Sequence, residues 1–320
     1  MQRTAQQIHN HIKSVSKLAL VSHPNPDGDT LGAAMAFAEY LQKLGKEVKI
    51  FCLTPVPDKF SFLYNIGLVS QNPDVFLDLD AIAVLDCGDL RYAGVADIIK
   101  DNAATIINID HHATNEKYGH LNMVLPTAAS TTEIVYNFFK LNNIQITPSM
   151  ATALLTGLIT DTDNFTNQAT SYGSLTAAGE LLRLGANWVT IHHALVQNKS
   201  IHLLKLWGVV LSRLSKKEEA GIAYTYLTTQ DMIGHDASED DVEGIANFLN
   251  KLDDAKISLF IKETSDGKIK GSLRTTHDDV DVSILAKKLG GGGHKKAAGF
   301  TTEGTIESVV NRIVDLQNQK

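Results

Sequence analysis

The run Ala81-Ile82-Ala83-Val84-Leu85 is apolar at every position and is followed at once by Asp86. A strand with one wet face alternates polar and apolar side chains, so an unbroken apolar run predicts a strand covered on both faces. Cover on both faces calls for helices on either side of a mainly parallel sheet, the doubly wound α/β class. The rest of residues 1–185 meets that demand. Further strand candidates are Leu18–Ser22, Val48–Leu53, Thr105–Ile109 and Leu121–Leu125, while Leu31–Leu44, Val95–Asn102, Thr132–Leu141, Met150–Ile159 and Ser174–Leu184 read as helices.

With 320 residues and 34.8 kDa the chain exceeds one ordinary domain and fits two. Gly185-Ala186-Asn187 is a helix stop. A helical connector follows, Val189–Leu214, and ends in Lys216-Lys217-Glu218-Glu219, a charge run expected to be a solvated hinge. Beyond it come a strand (Ile222–Leu227), a helix (Glu239–Leu252) and a hairpin. The hairpin's arms are Ile257–Glu263 and Lys268–Thr275, turned by Ser265-Asp266-Gly267. A short helix, Ser283–Leu289, runs into Gly290–Gly293, and Ile306–Gln317 is the last helix. The expected organisation is a domain over 1–185, a connector over 186–219 and a smaller α/β domain with a mixed sheet over 220–320.

Acidic and imidazole side chains gather at the strand ends of the first domain, where doubly wound sheets bind their ligands. Leu18–Ser22 leads into His23-Pro24-Asn25-Pro26-Asp27-Gly28-Asp29. The prolines and Gly28 are expected to hold an irregular loop until a helix begins near Leu31, which lets His23, Asp27 and Asp29 turn toward one point. Ala81–Leu85 ends at Asp86, Thr105–Ile109 at Asp110-His111-His112, and the helix Met150–Ile159 at Thr160-Asp161. A single such Asp is ordinarily a helix cap and a lone His pair ordinarily surface decoration. Several carboxylates converging at one edge, however, repel one another unless a cation compensates. Oxygen and imidazole donors without thiolate suit Mn²⁺, Mg²⁺, Fe²⁺ or Zn²⁺. The set is large enough for two ions about 3.5–4 Å apart with one shared aspartate, an arrangement that activates water and steadies an in-line phosphoryl displacement. Asp110 need not touch metal and can orient a neighbouring imidazole through a ring N–H.

In the second domain, Gly290-Gly291-Gly292-Gly293-His294-Lys295-Lys296-Ala297-Ala298-Gly299 reads as a glycine loop whose backbone N–H groups an anion can approach closely. His294 adds a donor, the lysines add charge, and Arg274 at the end of a hairpin arm can make a bidentate phosphate contact. The bland alternative, a flexible linker, is disfavoured because the run continues directly into His-Lys-Lys-Ala-Ala-Gly between two packed elements.

Charge narrows the substrates. The chain carries 29 Lys+Arg against 36 Asp+Glu, net −7, which excludes a general duplex-DNA or membrane-surface binder. Residues 1–185 hold 12 basic and 18 acidic groups, net −6, whereas residues 256–320 hold 11 and 8, net +3. Cys52 and Cys87 are too few for a disulfide framework and read as buried thiols in a reducing compartment. Residues 1–15 contain no apolar leader core and no run of about 18 apolar residues occurs, so a cytoplasmic location is expected.

In order along the chain, His23…Asp27-Gly28-Asp29, Leu85-Asp86-Cys87-Gly88-Asp89, Asp110-His111-His112, Gly157-Leu158-Ile159-Thr160-Asp161-Thr162 and Gly290–Gly299 resemble the motifs of the DHH-family phosphoesterases with a DHH-associated C-terminal domain. The resemblance covers essentially the whole chain. It implies an active site in the cleft between the domains and a dinuclear centre, manganese first among the candidate ions. His23 and Asp27 would hold one ion, Asp29, His111 and Asp161 the other, and Asp86 would bridge. Asp86, Asp110 and His112 would be the catalytic set, with His112 facing the scissile phosphate. Gly291, Gly292, Gly293, His294 and Arg274 would bind substrate phosphate.

Length and architecture are most similar to the bacterial oligoribonuclease and 3′-phosphoadenosine-5′-phosphate phosphatase group. That implies hydrolysis of single-stranded RNA of about two to five nucleotides, in keeping with a short basic strip that lacks a stacking ladder. It also implies removal of the 3′-phosphate from 3′-phosphoadenosine 5′-phosphate. Linear or cyclic di-adenosine monophosphate is the alternative substrate. An inorganic pyrophosphatase ranks lower, because those enzymes carry an Arg/Lys-rich motif where this chain has Gly-Gly-Gly-His. A non-catalytic nucleotide sensor ranks last, since every expected ligand is present. A long-strand exonuclease would need further nucleic-acid domains. The expected partners are short RNA or nucleotide phosphates, without duplex DNA or membrane, and a homodimer is left open. One departure stands out: family members commonly have Gly after Thr-Asp-Thr, and this chain has Asp163, expected to face solvent or the outer side of the ligand set.

Overall fold

Six parallel strands form the sheet of the first of two units in the computed structural model, which describes residues 1–100, 102–196, 200–235, 242 and 245–318. The units are Met1–Asn198 and Lys199–Lys320. In the first, β1 (Lys17–Ser22), β2 (Glu47–Cys52), β3 (Val69–Ser70), β4 (Ala81–Leu85), β5 (Thr105–Asp110) and β6 (Leu121–Val124) lie in the order β3-β2-β1-β4-β5-β6. The chain winds outward to one side from β1 and then returns to start the other side at β4. The order therefore reverses between β1 and β4, the switch point at which such sheets open a crevice.

The apolar run that predicts two-sided cover behaves as expected. All of β4 is fully buried, and its alternate residues enter different cores: Ala81, Ala83 and Leu85 join one with Phe37 and Phe138, while Ile82 and Val84 join another with Phe51 and Phe76. Each fully buried large side chain is worth about 1.5–3 kcal/mol. Helices α1 (Gln2–Ser14), α2 (Gly28–Lys43), α3 (Ala96–Lys100), α4 (Thr131–Leu141), α5 (Pro148–Asp161), α6 (Tyr172–Arg183) and α7 (Trp188–Leu195) complete the unit. Helix α1 and strand β3 are additions to the elements read from sequence.

Helix α2 begins at Gly28 rather than near Leu31. Asp27 is its N-cap, accepting from the backbone N–H groups of Asp29 and Thr30 at 2.9 and 3.1 Å. The prolines confine the irregular segment to 23–27, and a carboxylate cap starts the helix directly after it. Asp29 is thus helical. Helices α2 and α5 approach closely because small residues face each other: a Cβ at Gly32 would stand 2.2 Å from the Ala153 carbonyl oxygen.

The second unit has a mixed sheet ordered β11-β12-β10-β9-β8-β7. Its strands are β7 (Ser215–Lys217), β8 (Ile222–Leu227), β9 (Ile257–Glu263), β10 (Ile269–Arg274), β11 (Gly292–His294) and β12 (Ala297–Thr302). Among the described residues of this sheet only β8 and β9 pair in parallel. Helices α8 (Ile201–Ser212), α9 (Thr229–Gly234), α10 (Ile245–Leu249), α11 (Val282–Lys288) and α12 (Ile306–Asn318) accompany it. Part of the expected connector (197–199) and part of the expected helix Glu239–Leu252 (239–241 and 243–244) lie outside the described residues. Lys216 and Lys217 are not in a free hinge; they pair with Ala223 and Ile222 across β7 and β8. Among the described residues no helix is long and apolar enough to cross a membrane.

Candidate metal centre

The carboxyl edge of the first sheet collects the side chains singled out from sequence. His23 follows β1, Asp86 follows β4, Asp110 ends β5, His111 and His112 come next, and Asp161 closes α5. Three groups offer ligand atoms that lie within 4.8 Å of one another: His23, Asp27 and Asp86; Asp29, His111 and Asp161; Asp86, His111 and His112. Asp86 belongs to two of them. Its Oδ2 is 3.4 Å from His23 Nε2, and its Oδ1 is 3.6 Å from His111 Nε2 and 3.7 Å from His112 Nδ1. His23 Nε2 is 3.7 Å from Asp27 Oδ1, and His111 Nε2 is 3.2 Å from Asp161 Oδ2. Asp86 has a φ of 59°, in the left-handed region that aspartate tolerates better than most residues.

Several of these side chains are aimed by a neighbour. His23 Nδ1 lies 2.9 Å from the Pro24 carbonyl oxygen, so Nδ1–H donates there and Nε2 is left toward Asp27 and Asp86. Asp29 is fully buried and does a second job unseen from sequence. Its carboxylate accepts from the backbone N–H of Thr131 at 2.6 Å and of Thr132 at 2.8 Å, and from the Thr132 hydroxyl at 2.7 Å. Those amides open α4, so Asp29 caps a helix far away in sequence as well as facing His111 and Asp161. The Thr131 hydroxyl donates to Asp86 Oδ1 at 3.0 Å.

Asp110 is fully buried and its Oδ1 sits 2.7 Å from His112 Nδ1. Asn115, absent from the sequence-based set, donates to Asp110 Oδ2 at 2.5 Å and to the Asn108 amide oxygen at 3.2 Å. Threonines and asparagines of this kind carry no sequence signal that separates them from ordinary capping and turn residues. Asp163 is exposed with a φ of 47°, which explains why glycine suits the position.

The electrostatics are those of crowded carboxylates. Burial, together with Asp29, Asp86 and Asp27, pushes the Asp161 carboxyl up to about 10. Burial and the charges of Asp86 and Asp27 push Asp29 well above the usual carboxylate range. Burial works to lower the His23 imidazole, but the Asp27 and Asp86 carboxylates that face its Nε2 outweigh it and raise the group to about 12. The Asp110 hydrogen bond lifts His112 to about 8. These are groups that hold protons for want of a stronger positive charge among them. The donor set, carboxylate oxygen and imidazole nitrogen, fits a divalent cation. Both thiols are committed elsewhere, Cys52 to the His23 carbonyl oxygen at 3.3 Å and Cys87 to that of Asp89 at 3.0 Å.

In the second unit the glycine run is not an irregular loop. Gly291 and Gly293 are glycine because backbone passes against them: a Cβ would lie 2.1 Å from the Gly299 oxygen at the first and 2.6 Å from the Ala297 oxygen at the second. Gly293 also has a φ of 137°. Gly292 differs, since a Cβ there would meet nothing within 4 Å. Register pairs His294 with Ala297 and Ala297 with Arg274, then Gly292 with Gly299 and Gly299 with Ser272. Residues directly opposite share a face of a sheet, so Arg274, His294 and Gly292 stand on one face among small side chains. Arg274 Nη1 donates to the Leu273 carbonyl oxygen at 3.2 Å.

A carboxylate and imidazole cluster at the switch point of a doubly wound sheet defines a cation-using α/β protein. Comparison with known proteins narrows the class. Residues 17–158 match the DHH family N-terminal domain and residues 219–320 the DHHA1 domain. A Thermus thermophilus protein described as a bifunctional oligoribonuclease and PAP phosphatase is 30% identical over 298 residues, covering 92% of this chain and 87% of the relative. A probable manganese-dependent inorganic pyrophosphatase of Streptococcus thermophilus is 30% identical over 177 residues, 53% of this chain and 56% of the relative. The crystal structure of an exopolyphosphatase-related protein from Bacteroides fragilis, 25% identical, superposes with a TM-score of 0.91 and covers 100% of this chain and 96% of that one. The chain belongs to the DHH family.

Proposed function

We propose that this chain is a divalent-metal-dependent phosphoesterase that degrades RNA of about two to five nucleotides to mononucleotides and removes the 3′-phosphate from 3′-phosphoadenosine 5′-phosphate. The observation that carries the reading is the overlap of the ligand groups at Asp86. In this reading His23 and Asp27 hold one ion, Asp29, His111 and Asp161 the other, and Asp86 serves both. Two bound divalent ions supply positive charge that acidifies water and neutralises phosphate oxygens. The mixed oxygen and nitrogen donors suit Mn²⁺, Mg²⁺, Fe²⁺ or Zn²⁺, and the relative described as a probable manganese-dependent pyrophosphatase supports manganese among them.

The protein's own side chains do the rest. Asp110 holds His112 through Nδ1, which leaves Nε2 free to present a proton to the leaving oxygen. Asn115 fixes Asp110 and so fixes the ring. In the second unit Arg274 and His294 take substrate phosphate on the face that Gly292 leaves clear, and Gly291 and Gly293 let that hairpin form. A net charge of −7 supports short substrates over duplex DNA, and two free buried thiols support a cytoplasmic location.

The full-length relative favours this reading over pyrophosphate hydrolysis, because the pyrophosphatase likeness covers 53% of the chain against 92%. The test is a Mn²⁺ turnover panel of a diribonucleotide, 3′-phosphoadenosine 5′-phosphate, linear di-adenosine monophosphate and pyrophosphate. Highest kcat/KM on the first two is expected. Pyrophosphate ahead of both would sink the reading, as would undiminished turnover in excess chelator.

A further inference from the structure

Beside the metal centre lies an aromatic ring that the chemistry above does not use. Tyr92, in the turn after β4, is 59% exposed, and its ring centroid is 6.0 Å from that of His23 with the planes inclined by 36°. His23 is 8% exposed, so the tyrosine presents open ring surface immediately next to a buried ligand. Leu53, just past β2, is 48% exposed and adjoins the same turn: a Cβ at Gly94 would lie 2.8 Å from Leu53 Cδ2. Since β2 and β4 flank β1, both side chains border the segment that carries His23 and Asp27.

The patch is apolar in character. Arg91, next to Tyr92 in the chain, is engaged with Asp89, Nε and Nη2 reaching the carboxylate at 2.9 and 2.5 Å. The opposite flank of Asp86 is polar, with the His111 and His112 rings 4.7 Å apart. Single exposed apolar residues are ordinary on a protein surface. What distinguishes this pair is position, an open ring whose centroid is 6.0 Å from that of His23, an imidazole grouped with Asp27 and Asp86. A nucleotide whose phosphate sits at Asp86 carries its own flat, apolar ring a few ångströms away.

We propose that Tyr92, backed by Leu53, is a nucleobase platform on which the base next to the reacting phosphate stacks. The inference rests on the nucleotide-hydrolase reading and adds the feature that separates nucleotides from base-free phosphates. Every base has a π face, so the platform accepts all of them without reading sequence.

The test compares adenosine 3′,5′-bisphosphate with ribose 3,5-bisphosphate, which lacks the base. Affinity is measured by calorimetry on the full chain, with Ca²⁺ as the cation so that ligand is not consumed. Stacking predicts that the base-bearing ligand binds about 5- to 150-fold more tightly. Tyr92→Ala should lose that preference while binding ribose bisphosphate as the parent does, and Tyr92→Phe should keep it. A preference that survives in Tyr92→Ala overturns the proposal. So does a parallel loss for both ligands, which would mean that Tyr92 acts through His23. Base preference in a protein that shows no turnover with Mn²⁺ would leave the platform standing and remove the enzymatic reading instead.

Discussion

The strand-end cluster of the first unit and the glycine hairpin of the second use glycine for different reasons. At Gly157 in α5, a Cβ would meet Thr132 side-chain atoms at 2.4 Å and Asp29 Oδ1 at 2.6 Å, groups borne by α4 and α2. At Gly291 and Gly293 the obstacle is β12, a few residues further along the same hairpin. The first glycine answers to a meeting of three helices and the second to a local turn of the chain. A site assembled from distant segments is therefore held by contacts that no local pattern announces, whereas a hairpin face is largely written in its own residues.

The sharpest way to break this comparison is at its centre. Asp86→Ala should lower kcat/KM for a diribonucleotide with Mn²⁺ on the order of 10³-fold or more; undiminished activity would remove Asp86 from the mechanism. Next comes the three-helix contact. Gly157→Ala should cost about 1–3 kcal/mol in denaturant unfolding, since neither the Thr132 nor the Asp29 side chain is free to move away, and should weaken Mn²⁺ binding with it. Thr132→Val removes the hydroxyl donor to buried Asp29 and should cost about 1–3 kcal/mol, read as a lower denaturation midpoint. Gly292→Ala, by contrast, meets open space and should change stability by less than about 0.5 kcal/mol while weakening phosphate binding. Equal stability losses in Gly157→Ala and Gly292→Ala would erase the distinction. Of similar size, Asp163→Gly should raise stability by about 0.5 kcal/mol, because it relieves a left-handed conformation at an exposed site; a drop in melting temperature would assign the Asp163 side chain a structural role.

Much of this was legible in the residues. The unbroken apolar run of β4 foretold cover on both faces, and Asp86 was marked by its place at the end of that run. The hairpin of β9 and β10 followed from its turn residues, with Gly267 at a φ of 77°. Other features were misread for definite reasons. Prolines and a glycine around Asp27 suggested a long irregular segment, but a single carboxylate cap sufficed to start α2 at Gly28. Four glycines suggested a loop, but pairing with β12 turned Gly292–His294 into a strand. The charge run at 216–219 suggested a hinge, yet two of its lysines entered the sheet beside β8.

By itself, then, the sequence determined the layered class of the first unit, the acidic and imidazole composition of its carboxyl edge and the family motifs in their order. Period, strand-end position and residue chemistry are local properties, and they survive into the fold. Only the tertiary structure decided that Asp29 caps α4 while facing His111 and Asp161, that Asn115 holds Asp110, and that Tyr92 lies open beside His23. Those arrangements depend on how closely α2 and α5 approach and on where the loops after β1, β4 and β5 meet. Such distances are set by the packing of side chains remote in sequence, and none of the participating residues carries them alone.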